Sequence, residues 1–293
     1  MEKKAIFLDV DGTLVANHGK MTEQVKKAIT LARNQGHKVF ICTGRNKIGI
    51  RNELEEVNFD GFIASAGSYI EVADEVVHSR YYDRKLIEKA CDVFNRNNIV
   101  YNYECTDITY MSPKMMEFFV GGNNEEATNS EMERLKAEQS DKFNVRDMNE
   151  YDGRGIHKIS FIAMKQEDFD HAFKELKENF NFVVHDMFGS KNINGEIMSK
   201  LDNKGTGIKR IVDYLNIDME DTIGFGDSMN DYEMIDAVKC GVVMDNGSAR
   251  LKEIADRICK SVDEDGVYYE FIDLGIILSL IHISEPTRLD VIS

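Results

Sequence analysis

Ala5-Ile6-Phe7-Leu8-Asp9-Val10-Asp11-Gly12-Thr13-Leu14 runs four apolar residues into two carboxylates at the end of an extended stretch. Residues alternate sides along a strand, so Asp9 and Asp11 face the same way, Val10 turns into the packing and Gly12 lets the chain bend. Two like charges held that close repel each other. The pairing makes sense mainly where a cation or a transferring group stabilises it.

Outward from this stretch, Thr22 is placed to cap a helix running to about Gln35, with Val25, Ala28, Ile29 and Ala32 at helical spacing and Gly36 as its stop. A strand over 37–42 ends at Thr43-Gly44-Arg45, a second helix runs to about Val57, and a third strand over 61–65 leads to a hairpin near Asp74. Strands alternating with helices predict a Rossmann-like, doubly wound parallel sheet with its site at the strand C-termini. From about Asp83 the pattern becomes α+β: helix 84–97, strand 99–104, an irregular Met-rich stretch, helix 125–140, strand 157–164, helix 167–179 and strand 181–186. The βα rhythm then resumes at Lys204-Gly205, continuing through a strand over 221–225 and the loop Gly226-Asp227-Ser228-Met229-Asn230-Asp231. The expected organisation is therefore a discontinuous core, residues 1–82 and 190–277, interrupted by an inserted α+β cap, residues 83–189.

With 293 residues and 42% hydrophobic content, the chain can bury a substantial core. A formal net charge of −16 argues against non-specific attraction to nucleic acid or anionic membrane, so an anionic substrate needs a local cation. Cys42, Cys91, Cys105, Cys240 and Cys259 show no metal-ligand or redox spacing, and His157, His171 and His185 share none either. With no apolar leader behind Lys3-Lys4 and no run of transmembrane length, a soluble cytoplasmic protein is expected. The stretch from Leu278 to Arg288 is the translation of a common transposase sequencing adaptor, so residues 278–293 are expected to be a read-through tail.

Four loops are expected at the ends of four parallel strands: Asp9/Asp11, Thr43-Gly44, Lys204 at a helix start, and Asp227 with Asn230 and Asp231. Oxygen ligands in that number suit a hard divalent ion such as Mg²⁺, with Thr43 and Lys204 serving a phosphate. Each signal has a plainer reading when taken alone. A DxD at a strand end also suits a turn, Thr43 suits a helix N-cap, Lys204 suits a solvated surface, and Cys42 suits a small buried hydrophobe. The cluster Met111, Met115, Met116, Phe118 and Phe119 reads as a ligand-closing surface, as ordinary cap core or as a dimer contact, the latter two favoured.

Jointly and in this order, Asp9-Val-Asp11-Gly-Thr13, Thr43-Gly-Arg45, Lys204-Gly and Gly226-Asp227-Ser-Met-Asn230-Asp231 resemble the four motifs of the haloacid dehalogenase (HAD) superfamily, in particular its type IIB, Cof-like phosphatases. The likeness spans residues 1 to about 277 and implies a C2-type cap that closes over the site. It implies that Asp9 is the nucleophile forming an aspartyl-phosphate and that Asp11 is the acid and base. Mg²⁺ would then sit on the Asp9 side chain, the Asp11 backbone carbonyl, Asp227 and Asp231, while Thr43, Gly44, Lys204 and Asn230 hold phosphoryl oxygens. Ser65-Ala66-Gly67 stands where members usually carry Asn-Gly, and Arg45 is open between contacting a leaving group and pairing with carboxylates. The implied activity is hydrolysis of small phosphate esters such as sugar phosphates. A phosphomannomutase-like phosphomutase and a non-catalytic phospho-ligand sensor remain as alternatives.

Overall fold

The computed structural model describes residues 2–16, 20–120, 145–185 and 192–278. In chain order the elements are β1 (Ala5–Leu8), α1 (Glu23–Asn34), β2 (Lys38–Cys42), α2 (Arg51–Glu56), β3 (Gly61–Ala64), β4 (Tyr69–Val72) and β5 (Glu75–Ser79). There follow α3 (Arg84–Arg96), β6 (Val100–Glu104), β7 (Thr109–Met111), α4 (Pro113–Val120), β8 (Val145–Asp147), β9 (Lys158–Ala163), α5 (Gln166–Leu176), β10 (Asn181–His185) and β11 (Ile193–Met198). The last group is α6 (Lys204–Leu215), β12 (Thr222–Gly226), α7 (Tyr232–Ala237), β13 (Cys240–Met244), α8 (Ala249–Lys252), β14 (Arg257–Cys259) and α9 (Gly266–Asp273).

Strand β1 lies in the middle of an eight-stranded sheet ordered β14-β13-β12-β1-β2-β3-β4-β5. Its neighbours β12 and β2 both run parallel to it, and among the described residues antiparallel pairing in this sheet is confined to β3–β4 and β4–β5. All four β1 residues are buried because both faces of the sheet are covered. Ile6 and Leu8 join the core under α1 and α9, whereas Ala5 and Phe7 join the core under α6 and α7. After β1 the chain moves outward through β2 and β3, and after the cap it returns on β1's other side through β12 and β13. The order therefore reverses at β1, which opens a crevice at its C-terminal end.

Local sequence explains the best-anchored elements. The Thr22 hydroxyl accepts from the Val25 amide at 3.2 Å, α1 buries Val25, Ala28, Ile29 and Ala32, and Gly36 at φ +88° ends the turn. Between β4 and β5, Ala73 and Asp74 both adopt positive φ, forming the two-residue turn that matches strand twist.

A second, six-stranded sheet is ordered β10-β11-β9-β6-β7-β8. Helices α3 and α5 pack on one of its faces through Ile87, Ala90, Val93, Phe94, Ala172 and Leu176. Two expectations change here. The Met-rich stretch is regular: Met111 closes β7, and Met115 on α4 packs with Met111, Val100 and Ile162 as ordinary core. The return to the core shifts from residue 190 to beyond Met198, because Ile193–Met198 is strand β11, paired with β9 and β10. The helix expected over 125–140 and the tail beyond Leu278 lie outside the described residues.

Candidate active site

Every loop singled out in the core sequence opens at the β1 crevice. Asp9 follows β1, and its amide donates to the Phe225 carbonyl of β12 at 3.0 Å. Asp227 follows β12, and Thr43 follows β2 on the other flank. Lys204 is the first residue of α6, whose N-cap Asn203 exchanges reciprocal hydrogen bonds with Thr206; the strand before it is the antiparallel β11 of the second sheet, so its loop does not end a fourth parallel strand as expected. Two close approaches require glycine: a Cβ on Gly12 would lie 2.2 Å from the Asp227 carboxylate, and one on Gly205 would lie 2.3 Å from the Glu233 carbonyl.

Lys204 ties the site together. Its Nζ donates to Asp9 Oδ1 at 2.6 Å, to Asp231 Oδ1, and to Asn230 Oδ1 at 3.4 Å, with only 1% of the residue exposed. Asp231 is fully buried, and its other oxygen accepts the amides of Asp227 and Ser228 at 3.0 and 3.1 Å. Asp9, Asp227 and Asp231 each offer an oxygen within 4.8 Å of the others. Burial comes first in raising the Asp9 carboxyl to about 7, with the Asp231 charge next and Lys204 acting in opposition. The same two causes raise Asp227 to about 9. Burial works to lower Lys204, but the Asp231 and Asp9 carboxylates outweigh it and hold the ammonium well above its ordinary value.

A divalent cation fits this donor set. Three crowded carboxylates exceed the charge of one lysine, and Asp227 Oδ1 is buried without a hydrogen-bond partner. The Asp11 carboxylate stands apart from that cluster. Arg45 grips it with two bonds, Nε to Oδ2 at 2.8 Å and Nη2 to Oδ1 at 2.5 Å, and also donates to Glu53 Oε1 at 3.1 Å. Arg45 is therefore a carboxylate partner with a largely buried side chain. Thr43 is buried and accepts the Arg45 amide at 3.2 Å, a local turn contact. Gly44 leaves open space where a side chain would stand. Ser65, Ala66 and Gly67 all adopt positive φ, and they fold back on this loop through the Ser65 amide to the Arg45 carbonyl and the Ala66 amide to the Thr43 carbonyl. Cys42 is a buried core residue whose thiol is pushed up by burial, so it offers no nucleophile.

Two contacts went unread in the sequence. Lys158 of β9, fully buried between Glu104 and Glu196, donates to the Gly44 carbonyl at 2.8 Å and so brings the second sheet onto the Thr43-Gly44 loop. Asn46 reaches the Cys105 carbonyl across the same junction at 3.1 Å. A lysine in a strand pattern was the available signal, but only the fold reveals its burial.

The family model of the haloacid dehalogenase-like hydrolases matches residues 6–271. The chain belongs to that family. The YkrA protein of Bacillus subtilis (strain 168) is 28% identical over 283 residues, covering 94% of this chain and all of the relative. YwtE of the same organism, named as a 5-amino-6-(5-phospho-D-ribitylamino)uracil phosphatase, is 26% identical over 287 residues, covering 92% of this chain and 97% of its own. Among solved structures, that of the HAD subclass IIB sugar phosphatase BT4131 aligns with a TM-score of 0.74 at 22% identity, over 94% of this chain and 100% of the other, a likeness of fold. The HAD-type phosphatase class expected from the sequence accords with this membership, and the inserted α+β cap accords with the shared fold. Among the described residues, no helix is long and apolar enough to cross a membrane.

Proposed function

We propose that this HAD-family enzyme is a Mg²⁺-dependent phosphatase that hydrolyses small phosphorylated metabolites, sugar phosphates foremost, through an aspartyl-phosphate on Asp9. The observation that carries this reading is the Lys204 bridge. One Asp9 oxygen is held by the ammonium at 2.6 Å, which orients the carboxylate and leaves its second oxygen as the attacking atom. Asp11, two residues on and near enough for its charge to act on Asp9, is the group to protonate the leaving alcohol and later to take a proton from water. Arg45 holds the Asp11 carboxylate, so that proton transfer requires the pair to open. The Gly44 loop, the Thr43 hydroxyl, Lys204 and the Asn230 amide supply the donors for phosphoryl oxygens, where the transition state spreads its charge.

Asp9, Asp227 and Asp231, with the Asp11 backbone carbonyl, are the groups that would hold Mg²⁺. When bound, the ion supplies charge neutralisation and polarises the phosphoryl group. The cap, joined to the phosphate loop through Lys158, would exclude bulk water and choose among leaving groups. The names of YwtE, a 5-amino-6-(5-phospho-D-ribitylamino)uracil phosphatase, and of BT4131, a sugar phosphatase, favour polyhydroxylated esters here. The test is a phosphate-release screen of phosphorylated metabolites and an aryl phosphate, with Mg²⁺ and with chelator. Release that depends on the cation is expected. Release indifferent to chelation, or none from any ester, contradicts the proposal.

A further inference from the structure

The turn Asp245-Asn246-Gly247-Ser248 between β13 and α8 belongs to none of the four motifs, yet it holds the backbone of two of them. Because the sheet runs β13-β12-β1, this turn stands beside the loop that carries Asp227 and one strand removed from the loop that carries Asp9 and Asp11. The Ser248 amide donates to the Asp227 carbonyl at 2.7 Å, and a Cβ on Gly247 would lie 2.7 Å from that same oxygen, so the turn rests directly on Asp227. Asn246 reaches one loop further. Its Nδ2 donates to the Gly12 carbonyl at 2.9 Å, while its Oδ1 accepts the Val262 amide at 2.9 Å, which settles which end of the carboxamide faces Gly12.

That bond falls where the Asp9–Asp11 loop needs an outside anchor. Gly12 stands at φ +81°, pressed against the Asp227 carboxylate, and a glycine has the conformational freedom to leave that state. Two peptide planes meet there. The first contains the Asp11 carbonyl and the Gly12 N–H, which donates to the Val15 carbonyl at 2.8 Å, so trans planarity turns the Asp11 carbonyl the opposite way. The second contains the Gly12 carbonyl held by Asn246. Val15 belongs to the same loop and moves with it, whereas Asn246 ties the loop to the strands on the Asp227 side. We propose that Asn246 is a positioning residue for the cation site: by pinning the Gly12 carbonyl to the turn that also holds Asp227, it keeps the Asp11 carbonyl and the Asp227 carboxylate in one fixed relation. This inference rests on the Mg²⁺ reading above and adds a residue outside its ligand set. Asn246 is itself exposed, so its two bonds compete with water and add little to the stability of the fold; what they add is alignment.

The experiment titrates Mg²⁺ into wild type, Asn246→Ala and Ser248→Ala by isothermal calorimetry, and records the melting temperature of each protein without cation. Ser248→Ala is the comparison, because its hydroxyl caps α8 at the Leu251 amide and the backbone N–H that holds Asp227 survives the substitution. Asn246→Ala is expected to bind Mg²⁺ about tenfold more weakly while melting within about 3 °C of wild type. Ser248→Ala is expected to melt lower than wild type and to bind Mg²⁺ with the wild-type Kd. An unchanged Kd in Asn246→Ala, or a Kd weakened equally in Ser248→Ala, overturns the positioning role while the cation reading stands. An Asn246→Ala protein that melts far below wild type, or does not fold, also overturns it, since the residue is then a support of the fold. A wild type that takes up no Mg²⁺ overturns the cation reading, and the positioning role falls with it.

Discussion

Asp9 is held at Oδ1 by Lys204 while burial and Asp231 press its carboxyl toward protonation, a conflict that an added cation relieves. Asp9→Asn keeps the shape and removes the attacking oxygen, so kcat is expected to drop by at least about a thousandfold with the circular dichroism spectrum unchanged; near-wild-type turnover would exclude Asp9 as nucleophile. Ala66 sits at φ +51°, a region that costs a non-glycine residue about 1 kcal/mol, so Ala66→Gly is expected to raise the denaturation midpoint or leave it level, and a drop would show that this methyl group is needed. Asp9 and Asp11 were legible as two carboxylates at a strand end, but β1 closes at Leu8 and Asp11 turns to Arg45, so alternation does not set their directions. The fate of Arg45 was only half readable, since its two-point grip on Asp11 joins residues that meet through the β1–β2 pairing. Asn246 was opaque for a related reason. An asparagine before a glycine normally marks a plain turn, and its reach to Gly12 exists only once β13, β12 and β1 lie side by side.

The crossings between core and cap are short elements that a single side chain secures. Asp202, buried between β11 and α6, accepts from Arg80 Nε at 2.6 Å, lies 2.8 Å from Arg210 Nη2 and meets His78 Nε2 at 3.2 Å. It thus fastens the returning strand of chain, and Lys204 two residues on, to the end of β5. Asp202→Ala strands these partners around a buried gap. Because Arg80 and Arg210 keep access to water, the expected loss is about 2 kcal/mol by urea denaturation, and a variant as stable as wild type would refute this role. Helix α1 was legible in detail because its cap, its apolar spacing and its stop are all local. Strand β11 was missed because Asn192-Ile193-Asn194-Gly195 reads as turn material, and its strand state comes from pairing with β9 and β10.

For the molecule as a whole, crowded acids couple folding to pH and to cation. Asp9 and Asp227 have folded values near 7 and 9, above the ordinary 3.8, so the cation-free fold binds more protons than the unfolded chain between those limits. Their contribution is complete below about pH 4 and is lost as pH rises through 7 and then 9. A divalent cation favours the ionised forms, so the gain in melting temperature on adding Mg²⁺ is expected to be larger at pH 9 than at pH 5, and equal gains would contradict the carboxylate cluster as its seat. The sheet order, with β1 flanked by β12 and β2, brings motifs nearly two hundred residues apart into one crevice, as between Asp9 and Lys204. The most direct test of that convergence is acid quenching of the enzyme during turnover of a phosphate ester with Mg²⁺, followed by peptide mass spectrometry. A phosphoryl group on the peptide containing Asp9, absent from Asp9→Asn, is the expected result; phosphate released with that peptide unmodified at every quench time would contradict the account.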